Sequence, residues 1–329
     1  MNQPNRDDAP LVLAVPSKGR LQENAFAFFG RAGLKFVQSR GARDYRGTIS
    51  GVEGAEVAFL SASEIVSQLA SGAAHLGVTG EDLVREQVPG ADTAVAMLTP
   101  LGFGHANVVV AVPQAWIDVR TMADLDDVAS TLRARQGRKL RVATKYVNLT
   151  RRFFAEHGLA DYRIVESLGA TEGAPAAGTA EIVVDITTTG STLSANALKV
   201  LDDGVMLASE ANLVASVRAP WGERARNAAR TILSRIAAEE EARSLREVRL
   251  RALEASAETV EAMCRPFGAR LPFGVAPFGA VQVIHCPDKT VFGLVEHLAE
   301  AGGDDITVSA PAYVFRKANP LIERLFARL

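Results

Sequence analysis

The residues best suited to chemistry stand together in the stretch EIVVDITTTGSTLSANALKVL, from Glu181 to Leu201. An apolar run ends in Asp185, passes through Thr187, Thr188, Thr189, Gly190, Ser191 and Thr192, and then takes on helical spacing. A strand, a short hydroxyl-rich loop and a helix start, in that order, gather backbone N–H groups, hydroxyl donors and the positive end of a helix dipole at one place. Such a place suits a phosphate group without needing Lys or Arg. Gly190 lets the backbone turn with positive φ or approach a ligand closely. Asp185 would repel bare phosphate, so it suits ribose hydroxyls or a magnesium-bound diphosphate instead. The bland alternative is an N-capped helix after a buried strand, because Ser and Thr are also favoured caps.

Positive charge to meet a polyphosphate would come from Lys18 and Arg20, which follow the first apolar run, with Arg43, Lys145 and Arg151 as weaker candidates of the same kind. Against that stands the reading of Lys18 and Arg20 as solvated turn charges. Glu172, in the small-residue loop GATEGAP, is either a structural cap or a contact to ribose, adenine or Mg2+. His75, His105 and His157 have no metal-ligand spacing and receive no role. GxxxxGK[ST] is absent, and Gly102 and Gly104 of LGFG lack the third glycine of a dinucleotide fingerprint. Nucleotide hydrolases and dinucleotide-dependent dehydrogenases are therefore disfavoured.

The elements that must position these groups follow from periodicity. Short β-branched runs (Leu11 to Val15, Val57 to Leu60, Leu76 to Thr79, Asn107 to Val112, Leu140 to Ala143, Glu181 to Ile186) alternate with helical segments such as Gln22 to Gly33 and Ala62 to Gly72. That rhythm is α/β. After Pro220, the stretch Trp221 to Cys264 reads as one or two exposed amphipathic helices. Strand-like Ala280 to His285, helix-like Lys289 to Ala301 and strand-like Asp305 to Ser309 then predict a small α+β unit.

Composition excludes several classes. With 329 residues, 48% of them apolar and 22% charged, the chain has enough length for two or three domains with cores of their own. A net charge of −2 without a long basic stretch argues against nucleic acid as a partner. No apolar run approaches the roughly twenty residues of a membrane span, and the polar segment before Leu11 is no export signal, so a cytoplasmic protein is expected. Cys264 and Cys286 lack any CxxC pairing and read as buried thiols.

The segment AEIVVDITTTGSTLSANALK resembles the phosphoribosyl-pyrophosphate loop of the ATP phosphoribosyltransferase family, which carries out the first step of histidine biosynthesis. Further segments agree in order: PSKGRL (Pro16 to Leu21), HLGVTGEDL (His75 to Leu83), LGFGHANVVVAVP (Leu101 to Pro113), RVATKYVNLTRRFF (Arg141 to Phe154) and GATEGAP (Gly169 to Pro175). Together they lie within Leu11 to Ser216, and several motifs in sequence are far more specific than any one. The resemblance implies two hinged α/β lobes like a type II periplasmic binding protein, with the chain crossing after about Phe103 and returning after about Lys199. It divides the chain into 1–103 with 200–219 as catalytic lobe I and 104–199 as lobe II. A helical connector at 220–264 and a regulatory-like, ferredoxin-like C-terminal α+β domain at 265–329 complete the expected layout.

The reaction implied joins N1 of ATP to C1 of phosphoribosyl pyrophosphate and releases pyrophosphate with Mg2+ assistance. Thr188, Thr189, Gly190, Ser191 and Thr192 would hold the 5-phosphate and Asp185 the ribose, with Lys18 and Arg20 on the pyrophosphate or triphosphate. Two departures matter. Many relatives carry a basic residue where Ser61 stands, so the charge would come from Arg40 or Arg43, and an acidic position of the family is His75 here. Val281 to Phe315 resembles the histidine-binding domain of the family's long branch, whereas the catalytic segments look closer to the short branch, which uses a separate synthetase-like regulatory subunit. Inhibition by histidine or AMP, and the form of a homo-oligomer, stay open on that ground. The rivals are a two-lobed ligand-binding protein, a silent regulatory paralogue, and a phosphoribosyltransferase acting on another base.

Overall fold

Apolar β-branched runs pair into two separate α/β sheets because each can bury both faces only under helices supplied by its own part of the chain. The computed structural model describes residues 9–38, 45–167 and 169–329. Its first part runs β1 (Leu11–Pro16), α1 (Gly19–Arg31), β2 (Phe36–Gln38), β3 (Arg46–Ile49), β4 (Ala55–Leu60), α2 (Ala62–Ser71), β5 (Leu76–Gly80), α3 (Glu81–Gln87), α4 (Ala91–Ala94) and β6 (Val95–Pro100). The second runs β7 (Ala106–Pro113), α5 (Met122–Gln136), β8 (Leu140–Thr144), α6 (Val147–Glu156), β9 (Tyr162–Glu166), β10 (Ile182–Thr187), α7 (Ser191–Ala195) and β11 (Leu198–Ser209). The chain then continues through β12 (Ala211–Ser216), α8 (Glu223–Ser244), β13 (Leu245–Arg251), α9 (Ala257–Cys264), β14 (Val281–Pro287), α10 (Val291–Glu300), β15 (Thr307–Ser309) and α11 (Pro320–Phe326).

The first sheet has the order β2-β3-β4-β1-β5-β12-β6, with β1 parallel to β4 and β5. Helices cover both faces: Phe28 and Phe29 of α1 with Ile232, Leu233 and Ile236 of α8 on one, Ile65, Val66 and Leu69 of α2 on the other. Phe29 is wholly buried, and truncating such a side chain to Ala costs about 3–5 kcal/mol. The second sheet has the order β11-β7-β10-β8-β9, in which β8, β9 and β10 are parallel. Two crossings join the sheets, β6 to β7 and β11 to β12, and this is the two-lobed α/β arrangement expected. Among the described residues no helix is long and apolar enough to cross a membrane.

Three expectations need correction. The return crossing falls at Glu210 rather than after Lys199, since β11 pairs with β7 from Leu198 to Ser209. Register shifts between Val200 and Leu207 take up Asp202, Asp203 and Gly204 as an irregularity within the strand. The helical connector is shorter and less exposed than predicted. Residues Ala225, Ala228, Ala229, Ile232, Leu233 and Ile236 of α8 lie in the first lobe's core, because an alanine-rich stripe permits close approach to the sheet. Leu245–Arg251 is a strand, not helix: Val248 and Leu250 alternate with exposed Arg249 and Arg251 at the period of two that marks a half-buried sheet.

The C-terminal sheet has the order β14-β13-β15, all antiparallel, with Arg270 bridging to His285 beyond β14. Strand, helix, bridge, strand, helix, strand along the chain, with the bridge, β14, β13 and β15 side by side in that order, is a ferredoxin-like unit whose second strand is reduced to a single bridge. Its tail leaves it again. Tyr313 donates its hydroxyl to Arg31 O at 2.9 Å, and Leu321 and Leu325 of α11 bury themselves in the first lobe's core. The segment after β15 is thus part of the first lobe's packing rather than of a separate C-terminal domain.

Candidate active site

Parallel strands end on a common edge, and in both α/β lobes those carboxyl ends carry the polar residues, the place where open α/β sheets bind ligands. In the second lobe the edge is formed by Lys145 after β8, Gly169 to Glu172 after β9 and Thr188 to Ser191 after β10. In the first it is formed by Lys18 after β1, Ser61 after β4 and Glu81 and Asp82 after β5. The lobes touch one another and the outgoing crossing near these edges at several places. The Tyr146 hydroxyl donates to Asp82 Oδ2 at 2.8 Å, the Thr188 hydroxyl donates to His105 O at 3.2 Å beside the outgoing crossing, and Gly104 of that crossing lies against Leu21 of α1.

The hydroxyl-rich loop has the predicted form with one difference. Gly190 takes φ 75, the left-handed conformation that glycine adopts without cost. Gly190 N donates to Thr187 Oγ1 at 2.9 Å and the Thr189 hydroxyl donates to Ser191 Oγ at 2.9 Å, so the loop is held open by its own side chains, with Thr188, Thr189, Ser191 and Thr192 exposed. The helix that follows is only five residues long, which leaves the amides and hydroxyls, rather than a long helix dipole, as the anion-binding resource.

Asp185 stands in the second half of β10, half-buried, and accepts from Ile186 N at 2.8 Å. Burial raises its pKa above the usual carboxylate range and the charge of Glu172 adds to this, opposed by the Ile186 bond and by the Lys145 ammonium. Lys145, Glu172 and Asp185 therefore share one electrostatic neighbourhood. Glu172 is presented by a tight turn in which Ala170 takes φ 48, a conformation an L side chain adopts only under constraint. Lys18 and Arg20 are exposed at the first lobe's edge, where Gly19 at φ 71 turns the chain from strand to helix; neither makes an ion pair among the described residues.

Other candidates fall elsewhere. Arg151 is exposed on α6, and Arg40 and Arg43 lie outside the described residues. Ser61, where a basic residue was expected, caps α2 in a complete capping box with Glu64. His75 is buried, accepting from Val12 N at 3.1 Å through Nδ1, which leaves Nε2 to donate to Pro220 O at 3.1 Å; burial pushes its pKa down. It is a neutral core histidine.

Known proteins match the chain in sequence and fold. A sequence model of the family described as ATP phosphoribosyltransferase matches residues 61–238. The chain is 58% identical over 320 residues to the ATP phosphoribosyltransferase of Afipia carboxidovorans, covering 97% of this chain and 98% of the relative. It is 60% identical over 315 residues to that of Nitrobacter winogradskyi, covering 96% and 97%. The chain belongs to the ATP phosphoribosyltransferase family. An ATP phosphoribosyl transferase (HisG:HisZ) complex from Thermotoga maritima shares the fold, with a TM-score of 0.53 and 23% identity over 69% of this chain and 95% of that one. Near-complete coverage means that these ATP phosphoribosyltransferases also have the C-terminal unit.

Sequence reasoning passed over Asp82, Glu86, Tyr146 and Ser209, although the motifs HLGVTGEDL and RVATKYVNLTRRFF contain Asp82 and Tyr146. One signal was present: α6 begins after Tyr146 without a Ser, Thr, Asp or Asn at its cap, so its first amides need an acceptor from elsewhere.

Proposed function

We propose that the cleft binds ATP and phosphoribosyl pyrophosphate and forms N1-(5-phosphoribosyl)-ATP with release of pyrophosphate, the first step of histidine biosynthesis. The observation that carries this reading is the joint placement of Asp185, Glu172, Lys145 and the Thr188–Thr192 loop at the strand ends of one lobe, with Lys18 and Arg20 at the strand ends of the other. The bond from C1 to the pyrophosphate oxygen breaks as the bond from adenine N1 forms, with inversion at carbon. A transition state of oxocarbenium character with a departing polyanion asks for alignment and charge neutralisation, not for a protein nucleophile.

The loop amides and hydroxyls of Thr188 to Thr192 hold the 5-phosphate, and Asp185 accepts from the ribose hydroxyls. An unshared, half-buried carboxylate suits that task, because ribose hydroxyls replace the hydration that burial has removed. Lys18 and Arg20 offset the charge of pyrophosphate or triphosphate as the lobes enclose the substrates, and exclusion of water strengthens those contacts. Arg43 would reinforce them.

For Mg2+ the donor set is sparse: among the described residues no three His, Cys, Asp or Glu gather into a cage, while the charge of Glu172 acts on Asp185. Such a pair fits an ion that keeps water and substrate phosphates as its main ligands. When bound, it would neutralise charge on the departing pyrophosphate, with Asp185 and Glu172 holding its outer side.

The deciding experiment is formation of phosphoribosyl-ATP by the purified chain from ATP, phosphoribosyl pyrophosphate and Mg2+, with and without histidine or AMP. Turnover by the chain alone supports the reading, and turnover that falls with histidine assigns regulation to the C-terminal unit. Turnover only on adding a synthetase-like subunit assigns it to a partner. No turnover under either condition removes the proposal, and sedimentation of the active form establishes the homo-oligomer.

A further inference from the structure

We infer that Tyr146 and Glu86 are positioning residues which make the placement of Lys145 depend on contact between the lobes. This rests on the proposed role of Lys145 beside Asp185 at the phosphoribosyl-pyrophosphate site. Lys145 and Tyr146 form the junction between β8 and α6, so whatever fixes the start of α6 fixes the ammonium that precedes it.

The start of α6 is held only in part by its own lobe, through the Tyr146 ring in that lobe's core and the bond from Tyr146 N to Thr144 Oγ1. Tyr146 occupies the cap position and its side chain caps nothing. The first amides of the helix instead reach across: Asn148 N donates to Glu86 Oε1 and Leu149 N to Glu86 Oε2, each at 2.9 Å, from the end of α3 in the first lobe. A carboxylate there also meets the positive end of the helix dipole. The arrangement is reciprocal, since Asn148 Nδ2 donates to Glu86 O at 2.9 Å and Arg152 Nη2 to Arg85 O at 2.8 Å, serving the orphan carbonyls at the end of α3. Two helix termini from different lobes thus satisfy each other.

Tyr146 supplies the second half of the device. Its ring is buried, its backbone N donates to Thr144 Oγ1 at 2.8 Å, and its hydroxyl donates to Asp82 Oδ2 in the first lobe. Asp82 is oriented in turn, because its Oδ1 accepts from the Ser209 hydroxyl at 2.9 Å and its backbone N donates to the same oxygen at 3.0 Å. Burial, with the Asp82 charge, pushes the Tyr146 hydroxyl upward and keeps it a donor. The Lys145 ammonium lies 5.1 Å from the centroid of this ring, a cation–π contact with a platform that packs in its own lobe's core and is tied through its hydroxyl to the opposite lobe. Lobe contact therefore delivers Lys145 to its place, and a loosened ring would leave a long, flexible ammonium to order itself at the cost of affinity.

Tyr146→Phe removes one hydroxyl and keeps the ring, so it is the first variant, measured in the natural chain and in a Lys145→Ala background. In the natural chain we expect KM for phosphoribosyl pyrophosphate to rise about tenfold, with kcat and KM for ATP within about twofold. In the Lys145→Ala background the same substitution should change that KM by less than about twofold, since the group it positions is gone. Glu86→Ala should behave alike, and Glu86→Gln, which keeps one acceptor oxygen, should restore part of the loss. Glu86 lies near the surface, so this pair stands if Tyr146→Phe fails to fold. An equal rise in KM in both backgrounds, or a fall in melting temperature with KM unchanged, overturns the inference while leaving the site reading intact. If Lys145→Ala itself leaves KM unchanged, the assignment of Lys145 fails and the inference with it.

Discussion

Glu181, immediately before strand β10, and Asp185, in the strand's second half, are two carboxylates treated in opposite ways. Glu181 accepts from Arg141 N, Arg141 Nη2 and Arg138 Nη1, each at 2.7 Å. Burial alone would raise its pKa, but these bonds outweigh burial and bring it down to about 2. Asp185, by contrast, accepts one backbone bond, feels the charge of Glu172 and has its pKa raised by burial. Between them Ile182, Val183 and Val184 are buried and fix the distance. A carboxylate that the fold satisfies stabilises the lobe, whereas one that the fold leaves short of partners holds its capacity for a ligand.

The contrast breaks first at Asp185. Asp185→Ala should lower kcat/KM for phosphoribosyl pyrophosphate by about 100- to 1,000-fold, and Asp185→Asn by a similar factor, with the melting temperature unchanged or higher near neutral pH. The direction for stability follows from linkage, because a carboxylate whose folded pKa is raised opposes folding above that pKa. Natural kinetics in either variant, measured under steady-state conditions, would end the assignment.

Charge on the facing lobe comes next. Arg20→Ala should reduce turnover by about 10- to 100-fold, against less than about twofold for His105→Ala, whose ring lies 3.8 Å from Glu210 on the crossing. A reversed order in paired assays would show that the cationic edge lies elsewhere. Thr192→Val removes one exposed hydroxyl of the loop and should raise KM for phosphoribosyl pyrophosphate about fivefold, with kcat little changed.

The smallest effect on activity is expected at the satisfied carboxylate. Glu181→Gln should keep turnover within about twofold yet destabilise the protein by about 2–3 kcal/mol near pH 7. Its pKa is depressed below the unfolded value, so the stabilisation is fully present above about 4.5 and is lost as pH falls toward about 2. Melting curves of both proteins should converge over that interval. A variant that loses activity at neutral pH while remaining as stable as the natural chain would erase the distinction between the two carboxylates.

Local chemistry made much of this molecule legible from its residues. The run ending in Asp185, the hydroxyl loop and Gly190 announce a strand, a turn and a ligand edge because strand period, positive φ and hydroxyl capping operate within a few neighbouring residues. The order of several such motifs then identified the family and its two-lobed fold. Ser61 stands where the family pattern has a basic residue, but Ser61 with Glu64 three residues later is a capping signature in its own right.

Contacts between distant segments were decided only by the folded chain. The burial of α8 depends on a sheet face built mostly more than a hundred residues earlier, and α11 leaves its own unit to join the first lobe's core. The same is true of the lobe contacts: Tyr146 lies 64 positions from Asp82 and Leu149 lies 63 from Glu86, and neither partner has a pattern that names the other. Periodicity and capping encode what a residue needs within a turn or two of backbone, such as an apolar neighbour or an acceptor for an amide. Which distant group meets that need is settled by packing, when the lobes are assembled and every buried polar group must find a partner.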